Sequence, residues 1–307
     1  MNRRPSRRSA GLLAPLALGL LVAACTSGAP ATPSPSLSAP SPAPPSQPPG
    51  PVGFVIRASW TQALPPRSMF GNIPVLVVTT DGRVLTPGAA TEIYPGPLVA
   101  PVVERLLSPQ DVAALVRAAK DAGILRQDVD FTGGAMPPGA AAARLQIAVD
   151  GVSYDLVGDA NAAVPCPPAE TCPGAVPGTP AAFARFWHGL LDLAGRLEAE
   201  VNAEQAHAPT SYAVIVGPPP EPWPGAVPVA WPVTDPALDA FGAPVRGEAS
   251  TRCGIATGDL AAALRPLFTG ATRLTPFVAT ASASATHGLT VRPLLPGDED
   301  PCAPIVE

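Results

Sequence analysis

The chain has 307 residues and carries 19 basic against 24 acidic side chains, a net charge of −5 at neutral pH. Without residues 1–25, which contain four arginines and no acid, 15 basic residues remain against the same 24 acids and the net charge becomes −9. An acidic chain with no basic cluster lacks the attraction that the phosphates of nucleic acids and anionic lipid headgroups require, so we expect no nucleic-acid partner.

The first 25 residues have the pattern of a secretory signal. Four arginines precede an apolar run over residues 11–24, and the run ends on Val22-Ala23-Ala24-Cys25. The run is shorter than the roughly 20 apolar residues that a membrane-spanning helix needs. Small residues before a cysteine are typical of a bacterial lipobox, so we predict cleavage before Cys25 and lipid attachment to its thiol. The alternative is an ordinary signal cut nearby, with Cys25 as a spare thiol.

Residues 26–52 are predicted to form a stalk. They contain ten prolines, and most of the others are Ser, Ala, Thr or Gly. Such a segment cannot bury enough apolar surface to offset the entropy of ordering it, so we expect a disordered linker with polyproline II character. At about 3.1 Å per residue it would reach roughly 80 Å when fully extended.

The fold class predicted for the rest of the chain is α+β, and residues 53–206 are expected to form its larger part. Asp81-Gly82 and Asp150-Gly151 each separate two runs of strand-like residues. Asp-Gly pairs favour tight hairpins in which both turn residues have positive φ. Two hairpins of this kind, each followed by a helix, predict an antiparallel sheet packed by two main helices.

Two helix starts are visible in this part. Ser108-Pro109 followed by Asp111 has the pattern of an N-cap, a first-turn proline and a first-turn acid, and the helix should reach about Ala122. Thr179-Pro180 begins a longer helix that should reach about Ala203. Its apolar residues recur at helical spacing and predict one buried face: Phe183, Phe186, Trp187, Leu190, Ala194, Leu197 and Val201.

Residues 207–307 are predicted to form a smaller, proline-rich α+β part. Tyr212 to Val216 has the pattern of a strand, and Thr257 is a candidate N-cap for a helix that runs to Phe268. Residues 289–294 are predicted to form an edge strand, because Pro293 has no N–H to donate to a neighbouring strand.

This second part contains short motifs in a definite order, namely Trp231-Pro232, Cys253-Gly254, Thr257-Gly258, Leu274-Thr275-Pro276, Val291 to Pro296 and Cys302. In that order they resemble a group of uncharacterised lipoproteins from high-G+C bacteria, which also share the signal, the Pro/Ser stalk and the hairpin-helix front half. The resemblance covers nearly the whole chain. It implies a location and an architecture, and no activity.

Four cysteines remain if Cys25 carries lipid: Cys166, Cys172, Cys253 and Cys302. An even number in an exported chain favours two disulfides. Three pairings are open, and the simplest joins Cys166 to Cys172 and Cys253 to Cys302. A four-cysteine zinc site is the alternative, but five residues between Cys166 and Cys172 exceed the usual spacing of two to four.

No catalytic, metal or cofactor site is predicted. The three histidines, His188, His207 and His287, have no second histidine or cysteine at ligand spacing. Asp128 with Asp130, and the run Asp298-Glu299-Asp300, are candidate ligands for a hard cation, but neither has the spacing and turn glycine of a calcium loop. The second run is equally well explained as a solvated tail.

Trp223 and Trp231 lie in a segment with seven prolines between Pro218 and Pro232. Two tryptophans held by prolines can form a rigid groove for a glycan, a lipid or a peptide. The simpler hypothesis is that both indoles cover the sheet as part of the core.

We therefore expect an extracytoplasmic lipoprotein held to a bacterial membrane through Cys25. Its folded part would bind an envelope protein, a glycan or a small ligand without catalysis. The alternative is a secreted hydrolase of cell-wall or extracellular polymer, which would need two facing carboxylates with perturbed pKa values. A small-lipid carrier is the third hypothesis, and it would need a large apolar cavity.

Overall fold

The structure is a computed structural model that describes residues 53–62, 64–89, 94–134, 140–162, 175–199, 205–280 and 285–306. The signal and the stalk, with Cys25, lie outside these ranges. Pro49–Glu307 forms one compact unit. Within it, two sheets follow one another along the chain, and the first ends at Ala206.

The first sheet has eight strands in the order β5-β7-β6-β1-β2-β3-β4-β8. Their bounds are β1 Phe54–Gln62, β2 Leu76–Thr79, β3 Arg83–Pro87, β4 Val102–Leu106, β5 Asp130–Phe131, β6 Ala141–Val149, β7 Val152–Gly158 and β8 Gln205–Ala206. Neighbouring strands are antiparallel except for the short edge pair of β5 and β7, which is parallel. The α+β class is confirmed, with a sheet that is mixed at one edge.

Three helices accompany this sheet: α1 Pro66–Met69, α2 Pro109–Asp121 and α3 Pro180–Ala199. The start of α2 is as predicted, since the Ser108 hydroxyl accepts from the Asp111 N–H and the Asp111 carboxylate accepts from the Ser108 N–H. The predicted end of α3 near Ala203 lies outside the described residues.

The two Asp-Gly turns differ. Asp150 and Gly151 both have positive φ, 52° and 76°, as predicted. At the first turn only Gly82 does, with φ 84°, so the prediction for Asp81 is wrong. The loop there has three residues instead of two: the Gly82 N–H donates to the Thr79 carbonyl at 3.0 Å, and a single left-handed glycine then completes the turn.

One face of the first sheet is covered by α2 and α3 and forms the larger core. Side chains that alternate along β1, β2, β6 and β7 meet the apolar face of α3 there, as its spacing predicted. The core members from α3 are Phe183, Phe186, Trp187, Leu190 and Ala194. The side chains of Leu197 and Val201 lie outside the described residues.

The second sheet has six strands in the order β10-β13-β14-β9-β12-β11. Their bounds are β9 Ser211–Gly217, β10 Val229–Ala230, β11 Ala243–Val245, β12 Glu248–Thr257, β13 Phe277–Val278 and β14 Thr286–Pro293, with α4 at Gly258–Gly270. β14 lies between β13 and β9, so the prediction of an edge strand is wrong. Pro293 is accommodated because β13 pairs only with Thr286 and His287, at the other end of β14.

Side chains from each sheet complete the packing of the other. Phe70, which follows α1, is buried against Ile215 and Cys253 of the second sheet. Leu98, between β3 and β4, belongs to the core under α4. In the opposite direction, Leu295 packs on Val77, on the face of the first sheet away from the helices. The last of these contacts brings residues 294–300 over the first sheet.

Candidate ligand-binding surface

The two tryptophans of the proline-rich segment have different environments. Trp231 is 5% exposed, packs against Phe241 and Phe268, and donates from its indole N–H to the Pro236 carbonyl at 3.0 Å. It is part of the core under α4. A ligand groove that includes both tryptophans is therefore wrong, because the Trp231 ring already has protein on its faces.

Trp223 instead forms an exposed pair with Tyr94. The indole is 41% and the phenol 68% exposed. Their ring centroids are 5.0 Å apart and the ring planes meet at 76°. In an edge-to-face pair at least one ring keeps both broad faces free of its partner, so this pair offers aromatic faces to solvent. We call Tyr94 and Trp223 the aromatic pair.

The backbone on both sides of the aromatic pair is held by hydrogen bonds. Two residues after Tyr94, the Gly96 carbonyl accepts from the Arg273 N–H at 3.0 Å, and the Leu98 N–H donates to the Ala271 carbonyl at 3.0 Å. On the other side, the Ala226 N–H donates to the Trp223 carbonyl at 3.0 Å and closes a turn. The two exposed rings are thus mounted on anchored chain, which limits the entropy lost when a ligand binds.

The carboxylate run near the C terminus is not a solvated tail. Asp298 is 2% exposed and forms ion pairs with Arg57 of β1 and Arg292 of β14. Its second oxygen accepts from the Leu295 N–H at 2.7 Å. Asp300 accepts from the Cys302 N–H at 2.8 Å. Only Glu299 fits the expectation of solvation, since its side chain is 76% exposed.

The other carboxylate candidates and two of the histidines occupy ordinary structural positions. Asp128 lies in a turn with φ 57°, and the Asp130 carboxylate accepts from the Thr132 N–H at 2.8 Å. His188 lies on the exposed side of α3 with its Nε2 at 2.8 Å from the Ala160 carbonyl, and His287 lies in β14 opposite Phe277. Over the described residues, no three His, Cys, Asp or Glu side chains are grouped as metal ligands.

Two places bring carboxylates together, and in each an arginine lies between them. Arg83 contacts Asp81 at 2.9 Å and Glu104 at 3.7 Å, and Glu104 also contacts Nδ1 of His207 at 2.9 Å. Partial burial acts to raise the pKa of Asp81, but the hydrogen bond from Thr79 and the charge and hydrogen bonds of Arg83 outweigh it. The pKa of Asp81 therefore lies below its ordinary value.

The second place centres on Arg144, which contacts Asp155 at 2.8 Å and Glu299 at 3.6 Å. A polymer hydrolase needs one carboxylic acid whose pKa is raised so that it can protonate the leaving group. An arginine between two carboxylates has the opposite effect, because it stabilises both in the charged form.

An apolar groove of about 460 Å³ runs between α2 and α3 and is lined by Leu115, Phe186 and Leu190 among others. It is open to solvent along the helices. A lipid carrier needs a cavity that shields the acyl chain from water, and a surface groove of this kind does not provide one.

Cys253 and Cys302 form a disulfide, with Cα atoms 5.5 Å apart, as the simplest pairing predicted. It joins β12 to the C-terminal segment, beside Ile305. Cys166 and Cys172 lie outside the described residues, so their predicted pairing stays a prediction.

The chain matches no family model, no curated protein and no solved structure. Among helices in the described ranges, none combines the length and the hydropathy that a bilayer span needs. The aromatic pair had no signal in the sequence, because Tyr94 and Trp223 are 129 positions apart and only the packing of Gly96 beside Arg273 brings them together.

Proposed function

We propose that this protein is an extracytoplasmic lipoprotein, held to the outer face of a bacterial membrane through Cys25, whose folded part binds a glycan of the cell envelope at the aromatic pair without catalysis. The anchor rests on the lipobox pattern of residues 22–25. The Cys253–Cys302 disulfide supports the compartment, because disulfides persist outside the reducing cytosol.

The single observation that carries the binding function is the exposed edge-to-face contact of Tyr94 with Trp223. Large aromatic side chains are usually buried, and a close pair exposed on anchored backbone is a feature that core packing does not explain. The C–H groups of a sugar ring carry a slight positive charge and pack on the negative face of an aromatic ring.

The size of the surface favours a glycan over a folded protein. Two partly exposed rings offer on the order of 200 Å² of aromatic surface. A stable protein–protein interface buries about 800 Å² on each partner. One or two sugar units match the area that the pair provides.

The test is co-sedimentation of the chain without its signal with insoluble peptidoglycan. We expect the wild-type protein to sediment and the Trp223→Ala and Tyr94→Ala variants to remain mostly in the supernatant. Leu106→Ala is the matched control, since Leu106 is a large apolar side chain, 74% exposed, on β4 of the first sheet. Equal sedimentation of all four proteins would contradict the proposal.

The hydrolase is measured in the same experiment. Release of soluble saccharide from the peptidoglycan over time would show catalysis. Loss of that release in a carboxylate variant, with sedimentation unchanged, would replace the binding function with the enzymatic one.

A further inference from the structure

A small cleft opens where the proline-rich segment crosses the second sheet. Its volume is about 190 Å³. That is the space of roughly six water molecules, which suits a carboxylate or phosphate group with its attached atoms. The residues that line it include Arg67, Pro218, Pro220, Arg273, Gly288 and Thr290.

The cleft carries an uncompensated positive charge. Arg67 of α1 and Arg273, which follows α4, both contribute guanidinium groups to its lining. Arg67 forms an ion pair with Glu248. The side chain of Arg273 is exposed and makes no hydrogen bond or ion pair within the described ranges. Two arginines against one acid are unusual in a protein whose acids outnumber its basic residues, and guanidinium groups bind carboxylate and phosphate oxygens in pairs.

The wall of the cleft is held close to the sheet. The Gly288 N–H donates to the Pro218 carbonyl at 3.0 Å. A Cβ atom at position 288 would lie 2.5 Å from that carbonyl oxygen, so only glycine allows the approach. The prolines at 218 and 220 restrict the backbone on the other side of the contact. The cleft is thus formed before any ligand arrives, which lowers the entropic cost of binding.

The cleft and the aromatic pair are neighbours. Pro220 in the lining is three residues before Trp223, so their Cα atoms are at most about 11 Å apart. On the other side, the backbone N–H of Arg273 donates to Gly96, two residues after Tyr94. A short saccharide stacked on the pair therefore has a cationic cleft within reach of its substituents.

We propose that this cleft, the Arg67–Arg273 cleft, is an anion subsite, and that the ligand of the aromatic pair is a glycan whose sugar carries a carboxylate or phosphate group. The inference rests on the proposed glycan binding and specifies its ligand class. The ring packs on Tyr94 and Trp223 while the anionic substituent accepts hydrogen bonds from Arg273 and shares the charge of Arg67.

The test compares three sugars that have the same ring: N-acetylglucosamine, N-acetylmuramic acid and N-acetylglucosamine 6-phosphate. The second differs from the first only by an ether-linked lactyl group that carries a carboxylate. Dissociation constants are measured by ligand-observed NMR with the chain without its signal. We expect at least one anionic sugar to bind about tenfold more tightly than the neutral sugar at low salt, and the difference to shrink as salt is added.

Arg273→Gln should remove that preference and leave the affinity for the neutral sugar unchanged. Arg117→Gln, which removes a positive charge from the exposed side of α2, is the matched control and should keep the preference. Trp223→Ala should weaken the binding of all three sugars.

The outcomes separate the two proposals. Equal affinities for the three sugars, all lost in Trp223→Ala, would overturn the anion subsite and leave glycan binding intact. Anion binding that survives Trp223→Ala, with no affinity for the neutral sugar, would overturn glycan binding at the pair and with it the inference. Inorganic phosphate that binds as tightly as the phosphorylated sugar would also overturn it, by showing a site for free anions.

Discussion

Asp298 forms an ion pair with Arg57 although the two residues are 241 positions apart, and both side chains are buried. The same carboxylate oxygen contacts Arg292, so one acid lies between arginines of the two sheets. Burial is the largest influence on the pKa of Arg57 and lowers it, and the charge of Asp298 opposes that effect. The Gln146 amide oxygen accepts a further hydrogen bond from Arg57 at 2.8 Å.

Replacing Asp298 by Ala should destabilise the protein severely, because it leaves two buried arginines without their counter-charge. The expected loss is about 3–5 kcal/mol in the free energy of unfolding. Chemical denaturation at pH 7 measures it, and Glu299→Ala, at the exposed neighbouring position, should change the midpoint little. A loss of less than about 1 kcal/mol for Asp298→Ala would show that the pair does not hold the sheets together.

The Cys253–Cys302 disulfide should contribute strongly to stability. It closes a loop with a sequence separation of 49 residues. The chain-entropy model gives about 4 kcal/mol for a loop of that size. Denaturation of the Cys253→Ala, Cys302→Ala double variant against the oxidised wild-type protein tests this. Equal midpoints would mean that the C-terminal segment docks equally well without the bond.

The pH dependence of stability should include a contribution from Asp81. Because its pKa is lower in the folded state than the ordinary value of 3.8, Asp81 stabilises the protein above that pH. The contribution disappears as the pH falls through the folded-state pKa. Asp81→Asn should therefore be less stable than wild type at pH 6, and the two should converge near pH 3 on acid titration followed by circular dichroism. A difference that is constant across this range would contradict the pKa shift.

The two tryptophans of the proline-rich segment should respond oppositely to truncation. Trp231→Ala removes a buried ring and its hydrogen bond to Pro236, and should cost about 3–5 kcal/mol. Trp223→Ala removes an exposed ring and should cost less than about 1 kcal/mol. Thermal unfolding of both variants decides between them. A large loss for Trp223→Ala would place that ring in a structural role and weaken the case for ligand binding.

The anchor makes a separate prediction. In cells that export the protein, Cys25→Ala should move it from the membrane fraction to the soluble extracytoplasmic fraction, because the diacylglyceryl group has no thiol to attach to. Metabolic labelling with a fatty acid should mark the wild-type protein only. Membrane association that persists in the variant would exclude a lipid on Cys25 as the anchor.

Local patterns of the sequence were sufficient where the determining interaction is local. The Ser108–Asp111 cap, the Asp150-Gly151 turn and the apolar face of α3 each depend on residues within a few positions of one another. Their conformations follow from capping, turn chemistry and helical spacing. The first Asp-Gly turn shows the limit of such patterns, because pairing between β2 and β3 selected a three-residue loop.

What the sequence determined by itself was the secondary structure, the α+β class and the signal and lipobox pattern that predicts a lipid anchor. Only the tertiary structure decided which polar and aromatic side chains are buried. The same run of acids contains the buried Asp298 and the exposed Glu299, and the same proline-rich segment contains the buried Trp231 and the exposed Trp223. Composition is nearly identical within each pair, and burial depends on which distant strand or loop packs over the residue.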